Sequence, residues 1–170
     1  SNENCEIFSG NTTLLYEGQL YPTQASLLEQ FAGRDDVLVI PHISHGFYWD
    51  AYCPEQQPAV EIYSMWGYSE ECGATAPNAP GFIQLLNSGK QFSFLSGADS
   101  HHGMPGQTGY HSKYYMLCYR EGLSGVLAPR LTRADIFDSI KAHRTYATTG
   151  DRILLLANTK RTEDQIELEL

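Results

Sequence analysis

At 170 residues, 42% hydrophobic and 12% aromatic, the chain has the size and composition of one folded domain and not of a disordered segment. No apolar run approaches the roughly 18 residues needed to cross a bilayer, so no membrane span is expected. A formal net charge of −9 argues against the clustered lysines and arginines that grip a nucleic-acid backbone, so no nucleic-acid partner is expected. Acidity does not exclude a small phosphorylated substrate, because bound divalent cations reverse the local field whatever the overall charge.

The four cysteines, Cys5, Cys53, Cys72 and Cys118, show no CxxC spacing, which leaves a zinc knuckle or a thioredoxin-like motif without support. Free thiols are expected, with a Cys53–Cys72 disulfide as the alternative. Residues 1–5 carry neither a charged n-region nor an apolar h-region, so no secretory signal is read and the compartment stays open.

In chain order, a first helix is expected from Thr23, an N-cap candidate after Pro22, to Gly33, with Leu27, Leu28 and Phe31 on its apolar face. Val37 to Ile40 reads as a buried strand that ends at Pro41, placing His42 just past its end. A short strand follows at Val60 to Tyr63. A second helix starts around Asn78 to Pro80 and stops near Gly89, and Phe92 to Ser96 is a strand feeding a glycine-rich loop that runs to Gly109. The third unit has a strand near Ser124 to Ala128 and a helix capped by Thr132 and Asp135. Tyr146 to Thr149 is extended or turn-like, and Ile153 to Ala157 is a further strand. The closing alternation Gln165-Ile166-Glu167-Leu168-Glu169-Leu170 fits an exposed edge strand. Strands separated by helices imply an α/β architecture with mostly parallel strands, whose ligand-binding residues gather at the carboxyl ends of the strands.

The sharpest chemical feature is Asp99-x-His101 directly after a strand. In extended chain, residues two apart point the same way, so a carboxylate and an imidazole converge, a donor pair suited to zinc, manganese or iron. The plainer alternative is a turn-forming Asp99 beside a solvated His101. His42 and His45 lie at the mouth of another expected strand. Glu61 sits inside an apolar strand, where an ionised carboxylate is costly unless paired or metal-bound; it is either a metal ligand or a structural residue. Arg144 is a candidate phosphate ligand through its guanidinium fork, or else a surface cation at a helix end. Thr148 to Gly150 form either an anion-binding turn or a plain tight one.

Taken in order, Ile40-Pro41-His42, Val60-Glu61-Ile62-Tyr63-Ser64 with Gly67 and Ser69-Glu70, Gly97-Ala98-Asp99-Ser100-His101 with Gly103 and Pro105-Gly106, and Leu131-Thr132-Arg133 through Arg144-Thr145-Tyr146-Ala147-Thr148-Thr149-Gly150 resemble the later part of proteins of the polymerase and histidinol phosphatase (PHP) superfamily. The resemblance runs from about His42 to Ile153 and points to a branch of that superfamily of unknown function. It implies a single domain over residues 1–170 that forms the C-terminal part of a distorted, TIM-like β/α barrel. It also implies two or three divalent ions (Zn, Mn or Fe), with His42, Asp99 and His101 as ligands; Glu61 is a further candidate ligand from its place in an apolar strand alone. The implied activity is metal-dependent hydrolysis of a small phosphorylated substrate, with Asp99 and Arg144 as the catalytic candidates. The superfamily's opening His-x-His motif has no counterpart here, so the expected piece is the later half of the barrel. A non-catalytic fragment and a carbohydrate- or small-ligand-binding module are the alternatives. Open strand edges would favour a homo-oligomer.

Overall fold

A computed structural model describes residues 14–16, 19–21, 23–41, 51–65, 67–68, 82–99, 120–162 and 165–169. The first described elements are an antiparallel pair, β1 (Leu14–Tyr16) and β2 (Gln19–Tyr21). Helix α1 (Gln24–Gln30) begins where the sequence signals it. Thr23 is extended, its hydroxyl accepts from the Ser26 N–H at 3.1 Å, and the Ser26 hydroxyl accepts from the Thr23 N–H in return. Gly33, at φ +77, takes the left-handed turn that ends the helical segment.

Val37 to Ile40 does not form the expected buried strand. The segment and the proline after it make isolated bonds: Val39 N–H donates to Gln56 O at 2.8 Å, and Pro41 O accepts from the Glu61 N–H at 3.1 Å. Its apolar run has a narrower purpose, since Val37 and Val39 cover Leu27 and Phe31 of the α1 unit while Ile40 stays 37% exposed. One covered face is enough to explain the composition.

The main core forms around β3 (Ala59–Ser64). One edge of β3 pairs antiparallel with β4 (Gly67–Tyr68), and the other pairs parallel with β5 (Ser93–Ser96). Helix α2 (Phe82–Asn87) lays Phe82 and Leu85 on Val60 and Phe92. Phe94 meets Phe82 and Phe92 edge-on at centroid distances of 5.4 and 5.7 Å, the arrangement that aromatic quadrupoles favour, while Phe82 and Phe92 are tilted 5.8 Å apart. Tyr52 closes the cluster and donates to Gln91 O; burial pushes its phenol up to about 12, aided by the nearby Cys53 and Glu55.

The last third contains β6 (Leu123–Val126), α3 (Arg133–Lys141) and β7 (Thr145–Thr148). The Thr132 hydroxyl accepts from the Asp135 N–H at 3.1 Å. Arg130, and then the Thr132 hydroxyl, hold the Asp135 carboxyl below its ordinary range. His143, at φ +58, takes the left-handed position just beyond the Ala142 C-cap. Strands β6 and β7 pair antiparallel, with Gly125 opposite Tyr146. A Cβ on Gly125 would meet the Tyr146 ring at 2.1 Å, so the ring lies directly on the glycine backbone. Finally β8 (Asn158–Arg161) and β9 (Ile166–Glu169) form an exposed hairpin in which Lys160 faces Glu167.

These pairings overturn the expected mostly parallel barrel. Among the described residues the sheets have two or three strands, only β3–β5 is parallel, and none closes. The reason is visible at the outer edge of β5. Side-chain hydroxyls occupy the backbone groups that a further parallel strand would use. Ser124 Oγ accepts from the Ser96 N–H at 2.8 Å and donates to Ser96 O at 2.7 Å. Thr145 Oγ1 lies 2.9 Å from Phe94 O and 2.8 Å from Ser93 Oγ, and Ser96 Oγ lies 3.1 Å from Thr148 O. A hydroxyl bridge holds neighbours wider apart than the 4.7–4.9 Å of a ladder, so β6 and β7 dock on β5 without extending its sheet. Residues 153–157 are likewise not the expected strand; Leu154 is 75% exposed. Tyr146 to Thr148, expected as extended or turn-like, belong to β7.

Because Ser124 satisfies both backbone groups of Ser96, a residue only 8% exposed, Ser124→Ala should lower stability by about 1–2 kcal/mol. Urea denaturation checks this, with an unchanged m-value indicating that only the native seam was lost.

Candidate functional site

The carboxyl end of the β3–β5 pair is where separate parts of the chain converge. Glu61 N–H holds Pro41 O, which anchors residue 41, the last described residue before His42, against β3. The half-buried Glu61 carboxylate reaches along the sheet towards the end of β5. A methyl group placed on Gly97 would lie 3.1 Å from Glu61 Oε1, so the missing side chain at Gly97 is what gives the carboxylate its place. Gly97 N–H donates to Tyr63 O and Gly97 O accepts from the Gly122 N–H, both at 3.1 Å. Met65 N–H donates to Ala98 O, tying the β3–β4 turn to the same end. The register slips between Glu61 and Tyr63, where Ile62 is the extra residue on β3. Such bulges re-aim side chains next to sites.

Asp99 follows two residues after Gly97, half-buried, with φ +49. A left-handed φ costs a non-glycine residue about 1–2 kcal/mol, and aspartate is among the few types that tolerate it. The expected extended run from Asp99 to His101 therefore does not start as one: the backbone turns at Asp99 itself. His42 and His101 lie outside the described residues, as do His45, His102 and His111. No group of three His, Cys, Asp or Glu side chains suited to a metal ion occurs among the described residues. Glu61 and Asp99 are the expected ligands that the described structure brings to one end.

Arg144 is not brought there. Thr145 is level with Ser93 and Phe94, and Thr148 with Ser96, so β7 runs alongside β5 in the same direction. Arg144, exposed and one residue before β7, lies at the opposite end of the sheet from Asp99. Four strand residues separate the two ends, roughly 13 Å at ~3.3 Å per residue. Thr148 to Gly150 form a self-contained turn: Thr148 Oγ1 accepts from the Gly150 N–H and donates to Asp151 O.

An arginine that the sequence did not single out does reach the Asp99 end. Arg120 immediately precedes the buried Glu121 and Gly122, the residue bonded to Gly97. Its carbonyl accepts from the Tyr63 hydroxyl at 2.7 Å, and its Nη1 pairs with Asp151 Oδ1 at 2.5 Å. Its side chain lies across Gly150, where a Cβ would come within 2.9 Å of Nε and 2.4 Å of Glu121 O. Gly150, at φ +102, supplies both the turn and the room. No sequence spacing announces this contact, because its partners lie 57 and 31 residues away.

Comparison with known proteins brings likeness without a function. A family described as a protein of unknown function (DUF3604) matches residues 96–160, from the last residue of β5 into β8. An uncharacterized protein of Chlamydia pneumoniae is 28% identical over 141 residues, covering 72% of this chain and 22% of its own length. An uncharacterized protein of Chlamydia trachomatis serovar D is 26% identical over 157 residues, covering 82% of this chain and 24% of its own length. The chain thus spans less than a quarter of the length of these curated relatives. No solved structure matches it. No helix among the described residues is long and apolar enough to cross a membrane.

Because Asp99 holds a left-handed backbone, Asp99→Asn should fold with nearly unchanged stability. Asp99→Val should lose about 1–2 kcal/mol or more, because a β-branched residue resists that conformation. Thermal melts of the two variants distinguish them.

Proposed function

We propose that this chain carries part of the active site of a divalent-metal-dependent phosphoester hydrolase, with the metal held at the carboxyl end of β3 and β5. The observation that carries it is that Glu61 meets two parts of the chain at once: its N–H donates to Pro41 O, next to His42, and its carboxylate lies over Gly97, two residues before Asp99. The donor chemistry fits. Glu61 and Asp99 offer hard oxygens, and His42 and His101 would add imidazole nitrogens, a mixed set suited to zinc, manganese or iron. The ordered resemblance to PHP-superfamily motifs supports the same chemistry.

A divalent ion held there would acidify water and polarise a phosphoryl oxygen. The chain's own residues then have distinct tasks. Glu61, packed over Gly97, and Asp99, at its left-handed turn, would hold the cation and orient the reacting group. Asp99 also stands ready to carry the proton. In the net reaction a water oxygen bonds to phosphorus, the ester P–O bond breaks, and the water's proton ends on the departing alcohol. Arg144 has no part in this scheme, because of its place at the far end of β7.

Purified chain reconstituted with Mn²⁺ or Zn²⁺ should retain metal at or above one equivalent and cleave an aryl phosphate in a chelator-sensitive way. His101→Ala and Asp99→Ala should each lose at least tenfold in metal affinity. Elemental analysis showing no retained metal, with none taken up on titration, would leave the non-catalytic alternative standing.

A further inference from the structure

Resting on that phosphoesterase reading, we propose that Arg120 and the groove beside it form the substrate subsite, built for a phosphomonoester whose alcohol carries a flat apolar group. The groove, about 660 Å³, is lined by Ile62 and Tyr63 of β3, Phe94 of β5, Tyr146 and Thr148 of β7, and Ile153. That volume falls within the range of small-molecule sites, and the lining mixes aromatic and aliphatic walls with a few hydroxyls, the usual composition of such a site. The bulge at Glu61–Tyr63 lets two successive β3 side chains face the same space.

Two contacts join this groove to Arg120. Tyr63, a groove wall, donates its hydroxyl to Arg120 O, and Thr148, another wall, bonds through its hydroxyl to Asp151 O, next to the carboxylate that holds the guanidinium. Three constraints fix the arginine: the Tyr63-anchored backbone, the Gly150 floor and Asp151 on Nη1. Asp151 takes only that one nitrogen, so Nε and Nη2 make no hydrogen bond among the described residues. The side chain is 62% exposed. A pre-positioned guanidinium with an open edge matches two oxygens of a phosphoryl group, and its charge suits an anion in a chain that is otherwise strongly acidic. The apolar walls next to it take the ester's organic part. Arg120 is thus a binding and positioning residue. The groove sets which alcohol is accepted.

The test measures binding of two probes, inorganic phosphate and phenyl phosphate, to the metal-reconstituted chain by calorimetry, with metal content determined in parallel. Phenyl phosphate should bind roughly tenfold more tightly than phosphate, from burial of its ring. Arg120→Gln should weaken both probes roughly ten- to hundredfold, and Arg120→Lys less, since an ammonium keeps the charge without the fork. Ile153→Ser, at a 57% exposed position that spares the core, should erase the phenyl preference and leave phosphate affinity unchanged. Arg152→Gln, a neighbouring exposed cation, should change neither. Metal content should be unchanged in all four variants. Equal loss from Arg120→Gln and Arg152→Gln would overturn the proposal, as would retained phosphate affinity in Arg120→Gln. Wild-type chain that holds metal but binds neither probe also overturns it while the metal reading stands. A chain without metal that still shows the Arg120-dependent pattern keeps the subsite and removes the hydrolase.

Discussion

The architecture depends on a seam of hydroxyl groups along the outer edge of β5. Ser93, Ser96, Ser124 and Thr145 make between them the bonds that a neighbouring backbone would make in a continuous sheet. This seam fixes which end of β7 lies beside which end of β5. From that follow the placement of Arg144 at one end, the turn at Gly150 and Asp151 at the other, and the delivery of Arg120 to the end where Glu61 and Asp99 lie. The buried Ser96 forces the arrangement, because its N–H and C=O need partners away from water.

Much of the fold was legible because local rules act locally. Thr23 and Thr132 cap the helices that their spacing announced, Gly33 and Gly89 stop theirs with left-handed φ, and β3 and β5 form within the apolar runs that marked them. The errors share a different origin. Val37 to Ile40 looked like a buried strand, yet its valines cover α1, and Val39 N–H bonds Gln56 O ahead of β3. Ile153 to Leu156 are four aliphatic residues in a row that remain largely exposed, a pattern that composition alone cannot distinguish from a buried strand. The barrel failed for a reason no hydropathy pattern encodes: whether serine and threonine hydroxyls will fill a strand's edge is decided only when the elements pack.

The candidate site divides along the same line. Glu61 stood out as a charge within an apolar strand, and its place over Gly97 gives that oddity a physical meaning. Asp99 stood out by position after a strand, although its backbone turns where extension was expected. Arg144 stands out by its chemistry and lies at the opposite end, whereas Arg120 belongs to no motif that the sequence displays. The signal for Arg120 is tertiary: the Tyr63 hydroxyl and the Asp151 carboxylate are remote in sequence. Chemical type is legible in a sequence and sidedness is not, because sidedness depends on which strand ends come together.

The proposed metal site requires the Glu61 and Asp99 carboxylates to face one cation from the same end of the sheet. Anomalous diffraction from crystals of the chain grown with Mn²⁺ or Zn²⁺ tests it most directly. The account predicts an anomalous peak within roughly 2.0–2.6 Å of oxygens from both carboxylates. Ordered metal elsewhere, with Glu61 and Asp99 turned to different faces of the sheet, would contradict it.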